Sequence, residues 1–383
     1  MTENRARIRW GRTLASGFGL LLVALSVQAW SRHFSHEFMT DYLSYWAAGK
    51  LTLAGDPAGA YDVAKHRAVE FSVTEFKGLN PFPYPPPFLL LVAPFSLLPY
   101  MWGFAAWVVV TFAAYLLLTR RAIETPYALA HPPVLMNGLI GQNGFLTAGL
   151  FTAGTAMLRE RPFLAGAILG CLVIKPQLAL LLPVAVIAAR LWPAIAGALA
   201  TAGVLGLVSL ALFGASAFIG FWNILPLYTE LMRQDKWPWN EFISVFAFLR
   251  YFGVDQTVAL SVHAVVAAAA VALTWIAWSR NWKNQVPILA AATLLVPPYL
   301  LTYDALLMII PMGFWLKDRE RARLVGLLWL LCFLPIAFYF NLYRGPNTVP
   351  LAALLFLGVC VADRLRGGRK GLVAADVDHA HLV

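Results

Sequence analysis

A chain of 383 residues that is 60% apolar and only 13% charged lies far outside the soluble range, in which about a quarter of residues are charged. Apolar stretches long enough to enter a bilayer recur along its length. They exclude a soluble globular domain and predict an all-α polytopic membrane protein. The net charge of +10 gathers at segment ends, a distribution that reports topology and contact with anionic membrane lipids and gives no reason to invoke nucleic acid.

The basic N-terminus, MTENRARIRWGR, leads into an apolar run without a small-residue cleavage site. The first span, Gly11 to Trp30, is therefore expected to remain, with its basic end in the cytoplasm. The only long polar segment of the first half follows, and residues 31–87 are expected to form a large loop on the periplasmic face. Within it, Tyr42 to Leu53 is predicted to form a short interfacial helix, ended by Gly55, Asp56 and Pro57, and Val63 to Phe76 is a second helical candidate. The run Pro81 to Pro87, PFPYPPP, excludes regular helix, because each proline removes a donor and restricts its predecessor.

Phe88 to Leu98 and Trp102 to Leu118 are the next apolar runs. If both cross, Arg120 and Arg121 fall on the side of the large loop, against the positive-inside tendency. A single bent span would require HPPVLMNGLIGQNG to cross back, and Pro132, Pro133 and the glycines break that segment. Two spans are expected here. Further spans are predicted at Gly144 to Leu158, Phe163 to Ile174, Leu178 to Ala189, Trp192 to Phe213, Val258 to Trp278, Val286 to Leu300, Tyr303 to Leu316, Leu324 to Phe340 and Val349 to Val361, making about twelve transmembrane helices in a single domain, 1–363. Residues 364–383 would be a cytoplasmic tail. This topology places the basic clusters around Arg159, Arg190, Arg280, Arg321 and Arg364 in the cytoplasm. The large loop, Gly141 to Gly144, Lys175 to Gln177, Gly214 to Phe242, Pro297 to Asp304 and Asn341 to Thr348 fall on the other face, where nearly all the unusual polar residues collect.

Charge kept inside a membrane protein marks either a transporter vestibule or an enzyme that works on lipid-linked substrates. A transporter would favour repeats and matching broken helices in two halves, and no convincing repeat is present. The large loop after the first span and its proline-rich return favour catalysis at the membrane surface. A transporter or lipid-handling protein is the alternative. Cys171, Cys332 and Cys360 sit in apolar runs, without disulfide or metal-ligand spacing.

Five segments occur in a telling order: DYLSYWAAGKLTLAGDPAGAYD (Asp41 to Asp62), YPPPFLLLVAPFSLLP (Tyr84 to Pro99), GQNG (Gly141 to Gly144), KPQ (Lys175 to Gln177) and PPYLLTYD (Pro297 to Asp304). With them the chain resembles glycosyltransferase family 87, also called DUF2029, polyprenyl-phosphate-dependent enzymes of the GT-C fold. The resemblance implies a GT-C-like bundle in a bacterial inner membrane with a periplasmic active face. It also implies a polyprenyl-phosphate sugar donor, mannose first among candidates, a lipid or glycan acceptor, and inversion at the anomeric carbon.

In such a family the acidic residue just after the first span is the expected general base, here Asp41. A carboxylate within reach begins to remove the acceptor's proton, while a lipid phosphate leaves without an acid. Glu37 competes for the role, and Asp41 would otherwise cap Tyr42 to Leu53. Lys175 is the first choice to meet the departing phosphate, its alternative being a lysine that snorkels from a helix end. Gln142 and Asn143 would bind sugar hydroxyls or cap the following span. Tyr303 and Asp304 begin a span, where Asp304 would bind sugar, orient a cation or act as a cap. Tyr299 stands where relatives often carry histidine, a departure that bears on phosphate or acceptor recognition. Arg233, Lys236 and Arg344 are further phosphate candidates or solvated loop charges. Tyr45, Trp46, Tyr84, Trp237 and Trp239 would stack on sugars or belong to the bilayer interface. With no DxD-like pair or metal-ligand cluster in the loops, transfer is expected to need neither metal nor cofactor.

Overall fold

The computed structural model describes residues 13, 15–21, 24, 41–74, 80–234, 238–318, 320–338 and 342–380. Most of the predicted first span lies outside them, as do Glu37, Lys236 and Trp237. The described chain is helical, and its β structure is an isolated antiparallel bridge between Phe242 and Leu301.

Among the described residues three helices are long and apolar enough to cross a membrane: Tyr100–Thr119, Trp192–Arg233 and Gln256–Ser279. The expectation of about twelve is corrected by the way proline and glycine cut the other runs. They survive as helices of 10–17 residues, such as Gly144–Met157, Pro162–Ile174, Pro176–Ala188 and Thr302–Leu316. At about 1.5 Å per residue these reach roughly 15–25 Å, short of the ~30 Å hydrocarbon layer. The long helices carry broad exposed apolar surface, including Val109, Val110, Leu207, Leu210, Val258 and Val265, as a face toward lipid requires.

Tyr42–Leu53 is helical with the predicted bounds, and Tyr42 to Gly49 are all buried, so it is packed among other elements of the bundle and not laid on its outer surface. Its sequence, YLSYWAAGKLTL, has almost no polar face to offer water. Tyr42, Tyr45, Phe82, Tyr84, Phe88 and Trp107 form one aromatic cluster around it, with Tyr45 and Phe88 edge to face at 5.0 Å. Asp56 caps the 3-10 turn Pro57–Tyr61 by accepting from Gly59 N at 3.0 Å. Asp62 caps the next helix, which ends at Glu70 and not at the expected Phe76. There the Ser72 hydroxyl donates to Val69 O at 2.6 Å, a local bond that competes with continued helix.

The central feature is a reversal at Lys175. A side chain on Gly166 would collide with the Ala194 backbone, one on Gly170 with Ala198, and one on Gly197 with Phe163. The first two pairs advance together along both helices, so Pro162–Gly170 lies parallel to the start of Trp192–Arg233, with small residues permitting close approach. The intervening chain must therefore climb, turn and return. It climbs through the 3-10 turn Cys171–Ile174, turns at Lys175, whose backbone is non-helical (φ −148, ψ 73), and returns through Pro176–Ala179 and Leu182–Ala188. Nine α-helical and four 3-10 residues precede the turn, a climb of roughly 20 Å, shorter than the ~30 Å hydrocarbon layer.

Two other breaks converge nearby. Pro133–Ile140 ends at Gly141 in the left-handed conformation (φ 69). The Trp192–Arg233 helix kinks at Gly214 (φ 71, ψ 170), and beyond the kink it packs on the loop, Gly220 and Phe221 meeting Tyr61. The last helix, Val349–Ala380, runs past the predicted end of its span at Val361.

Candidate active site

A cavity of about 710 Å³ opens where these breaks meet, lined by Asp41, Tyr45, Tyr84, Gln142, Lys175, Tyr299, Tyr303 and Asp304 among others. Most of these residues, far apart in sequence, sit at a helix end or in a non-helical segment, while Tyr45 comes from the first turns of Tyr42–Leu53.

Asp41 immediately precedes Tyr42–Leu53, but its side chain caps nothing. Its Oδ2 accepts from Gln142 Nε2 at 2.7 Å. The opposite end of that amide fixes its orientation, since Gln142 Oε1 accepts from the Tyr45 hydroxyl at 2.5 Å and lies 3.3 Å from the Tyr84 hydroxyl. The two phenols are 2.9 Å apart. An acceptor face toward the tyrosines leaves the amide hydrogens for the carboxylate. Burial pushes the Asp41 carboxyl above the ordinary carboxylate range, against the opposing pull of the Gln142 hydrogen bond and the Lys175 charge.

Gln142 is held in turn by Gly141. Trp107 Nε1 donates to Gly141 O at 2.8 Å, and a Cβ on Gly141 would lie 2.7 Å from Phe104 and 2.8 Å from Tyr42. With its positive φ, this position admits glycine and little else.

Lys175 and Asp304 form the second part. Both are buried, 4% and 2% exposed, and Lys175 Nζ donates to Asp304 Oδ1 at 2.5 Å and to Asn143 Oδ1 at 3.3 Å. The ammonium also stands 4.3 Å from the centre of the Tyr303 ring. An ammonium has three donors. Two are engaged by Asp304 and Asn143, and Lys175 also lines the cavity. Asn137 Nδ2 bonds Tyr303 O at 3.0 Å and Pro133 O at 2.9 Å, tying the helix before Gly141 to the 3-10 turn Thr302–Met308 that carries Asp304. The two parts are adjacent, since Asp41 and Lys175 interact electrostatically.

Not every candidate is brought in. Asn143 is fully buried behind Lys175 and does not line the cavity. Tyr299 lines it at the rim, 37% exposed, its ring against Phe242 and Phe246. Arg233 is exposed and paired with Glu230 at 2.7 Å, and Arg344 is exposed, its carbonyl accepting from Tyr251; neither lines the cavity. Both are charges of mobile-length side chains that sequence cannot orient. Trp46 Nε1 donates to Leu98 O at 3.0 Å, and Trp239 packs on Phe242 and Phe246; neither ring lines the cavity. Sequence reasoning missed Asn137, although an amide inside PVLMNGLI is the kind of intramembrane polar residue that signals a site. It also missed Ser44, Asn80 and Tyr228 on the cavity wall. Among the described residues no group of three or more His, Cys, Asp or Glu side chains is placed to hold a metal ion.

Chemically, the cavity offers a partly desolvated carboxylate beside a buried cation. No match is found among curated proteins or among solved structures. A family model, glycosyltransferase family 87, matches residues 82–309, a stretch that contains Tyr84, Gln142, Lys175 and Asp304 and begins after Asp41. The match covers well over half of the 383 residues, and the chain belongs to glycosyltransferase family 87.

Proposed function

We propose that this protein is an inverting glycosyltransferase that moves a sugar, mannose first among candidates, from a polyprenyl-phosphate donor to a hydroxyl of a lipid or glycan. Transfer takes place on the periplasmic side of a bacterial inner membrane, in a GT-C-like domain of residues 1–363 in which 31–87 form the catalytic loop. The observation that carries this reading is that Asp41, Lys175 and Asp304 line one cavity in a member of this family.

In this mechanism Asp41 accepts the proton of the acceptor hydroxyl as its oxygen attacks the anomeric carbon, a step for which a carboxylate with a raised pKa is the better base. Gln142 holds that carboxylate in place. The bond from the anomeric carbon to the phosphate oxygen breaks on the opposite face, giving inversion, and charge growing on the phosphate is met by the Lys175 ammonium. Asp304 and Asn143 fix the ammonium beforehand, so it need not reorganise during the reaction. Tyr45, Tyr84 and Tyr303 offer ring faces and hydroxyls to the sugar. The reaction needs no metal in this scheme.

Purified protein in nanodiscs, incubated with a panel of polyprenyl-phosphate sugars, is expected to release lipid phosphate from one of them and to retain activity in a chelator. Absence of release from every donor, or chelator loss restored by a divalent ion, would overturn the reading.

A further inference from the structure

Asp304 sits in the 3-10 turn Thr302–Met308, and the peptide carbonyls on either side of it are both held by one stretch of chain. Asn137 Nδ2 donates to Tyr303 O at 3.0 Å, and His131 Nε2 lies 3.1 Å from Ala305 O. A carbonyl partner assigns the ring hydrogen to Nε2. Neither residue lines the cavity. Both are buried, at 0% and 1% exposure, where a polar side chain is costly unless it is hydrogen-bonded. The fit is close: a Cβ on Gly144, next to the Asn143 that bonds Lys175, would collide with Asn137 Oδ1 and lie 2.8 Å from Tyr303 O.

His131 precedes, and Asn137 belongs to, the helix Pro133–Ile140, which ends at Gly141. The next residue is Gln142, whose amide holds Asp41. One short helix thus grips the turn that carries Asp304, the partner of Lys175, and delivers the partner of Asp41 at its end. We propose that His131 and Asn137 are positioning residues, a two-point clamp that sets Lys175 at a fixed separation from Asp41. This inference rests on the transferase reading above, in which the carboxylate serves the attacking oxygen on one side of the anomeric carbon and the ammonium serves the departing phosphate on the other. Such an arrangement tolerates little slack, since a misplacement of about 1 Å caused far from the chemistry can cost roughly 10²-fold in rate.

The test uses full-length protein in nanodiscs. Asn137→Ser gives up the reach to Tyr303 O while its hydroxyl can still bond Pro133 O, as Thr152 bonds Ala148 O one turn back. His131→Leu removes the second grip, and His131→Gln restores a donor. With donor lipid in excess, Asn137→Ser and His131→Leu should each lower kcat roughly tenfold with acceptor KM within about twofold, and His131→Gln should return to within about threefold of the parent. Added to Lys175→Met, either change should cost less than about twofold more, because a clamp that acts through Lys175 has nothing left to position, whereas a general loss of folding would multiply in full. Geranyl phosphate, which needs no turnover, should raise the parent's melting temperature saturably, and Asn137→Ser should raise its half-saturating concentration roughly fivefold. Parental kcat and phosphate binding in folded Asn137→Ser protein, or losses that multiply in full with Lys175→Met, would overturn the proposal. Asn137-dependent binding of geranyl phosphate by a protein that cleaves no donor would sustain the clamp and reject the transferase chemistry.

Discussion

The uninterrupted helices and the broken ones divide the work of this molecule. Tyr100–Thr119 and Gln256–Ser279 contribute no residue to the cavity wall, and the long helix Trp192–Arg233 contributes only Leu225, Tyr228, Thr229 and Met232, all beyond its Gly214 kink. The rest of the wall comes from short helices, among them Tyr42–Leu53 and Pro133–Ile140, and largely from non-helical chain: Asp41, Asn80, Pro81, Pro83, Tyr84, Gln142, Lys175 and Val296 to Tyr299. A regular helix satisfies its own backbone and can face lipid. A break exposes polar groups, which membrane proteins tolerate only where protein or a cavity surrounds them. Chemistry therefore collects at the breaks.

Changes at the breaks should accordingly cost activity, and changes in the frame should cost only stability. The sharpest contrast is at the reversal. Lys175→Met should lower transfer by roughly 10²–10³-fold if the ammonium meets the leaving phosphate, and by stranding Asp304 it should destabilise the fold by about 3–5 kcal/mol. Replacing both partners, Lys175→Met with Asp304→Leu, should recover most of the stability and none of the activity, read by thermal unfolding beside the transfer assay. Gly141→Ala should cost about 2 kcal/mol or more through the positive φ and the contact with Phe104, with a drop in transfer as Gln142 shifts. Trp107→Phe, which loses the bond to Gly141 O and part of a fully buried ring packed on Tyr42, Tyr45 and Phe88, should cost about 1–2 kcal/mol with a smaller effect on rate. Arg233→Ala and Arg344→Ala, outside the cavity, should leave transfer within about twofold, consistent with the small effect of solvated charges. Equal losses at Arg233 and at Lys175 would erase the distinction between wall and outer loop.

Much of this division was legible in the sequence. The membrane class and the bounds of Tyr42–Leu53 follow from apolar runs and the turn residues that end them, whereas the grouping of Asp41, Gln142, Lys175 and Asp304 comes with the family resemblance. The number of crossings did not follow, because hydropathy measures how apolar a run is and not whether its helix is continuous. Pro162 to Ala188 is apolar from end to end apart from Lys175 and Gln177, and only packing of Gly166 and Gly170 on the long helix shows that it goes in and returns. The burial of Tyr42–Leu53 was hidden for a related reason: its tyrosines and tryptophan suit an interface as well as a core. Arg233 and Lys175 look equivalent as isolated letters, and what tells them apart is that Arg233 pairs on the surface with Glu230 of its own helix while Lys175 is buried against Asp304, far along the chain.

Titration of Asp41 gives a further handle. Because burial raises its pKa, the base form is lost at a higher pH than for an ordinary carboxylate, and the acid limb of the rate profile should move up accordingly. The folded state also holds this proton more tightly than the unfolded chain does, so Asp41 is a source of stability that fades as pH rises through the raised value.

The most direct measurement is lipid-phosphate release by parent and Asp41→Asn protein at matched folding, with donor binding followed in parallel. The account predicts unchanged donor binding and a fall in transfer of roughly 10²–10⁴-fold, with the carboxylate-dependent acid limb abolished. An Asp41→Asn protein that folds, binds donor and transfers sugar at the parental rate would contradict it.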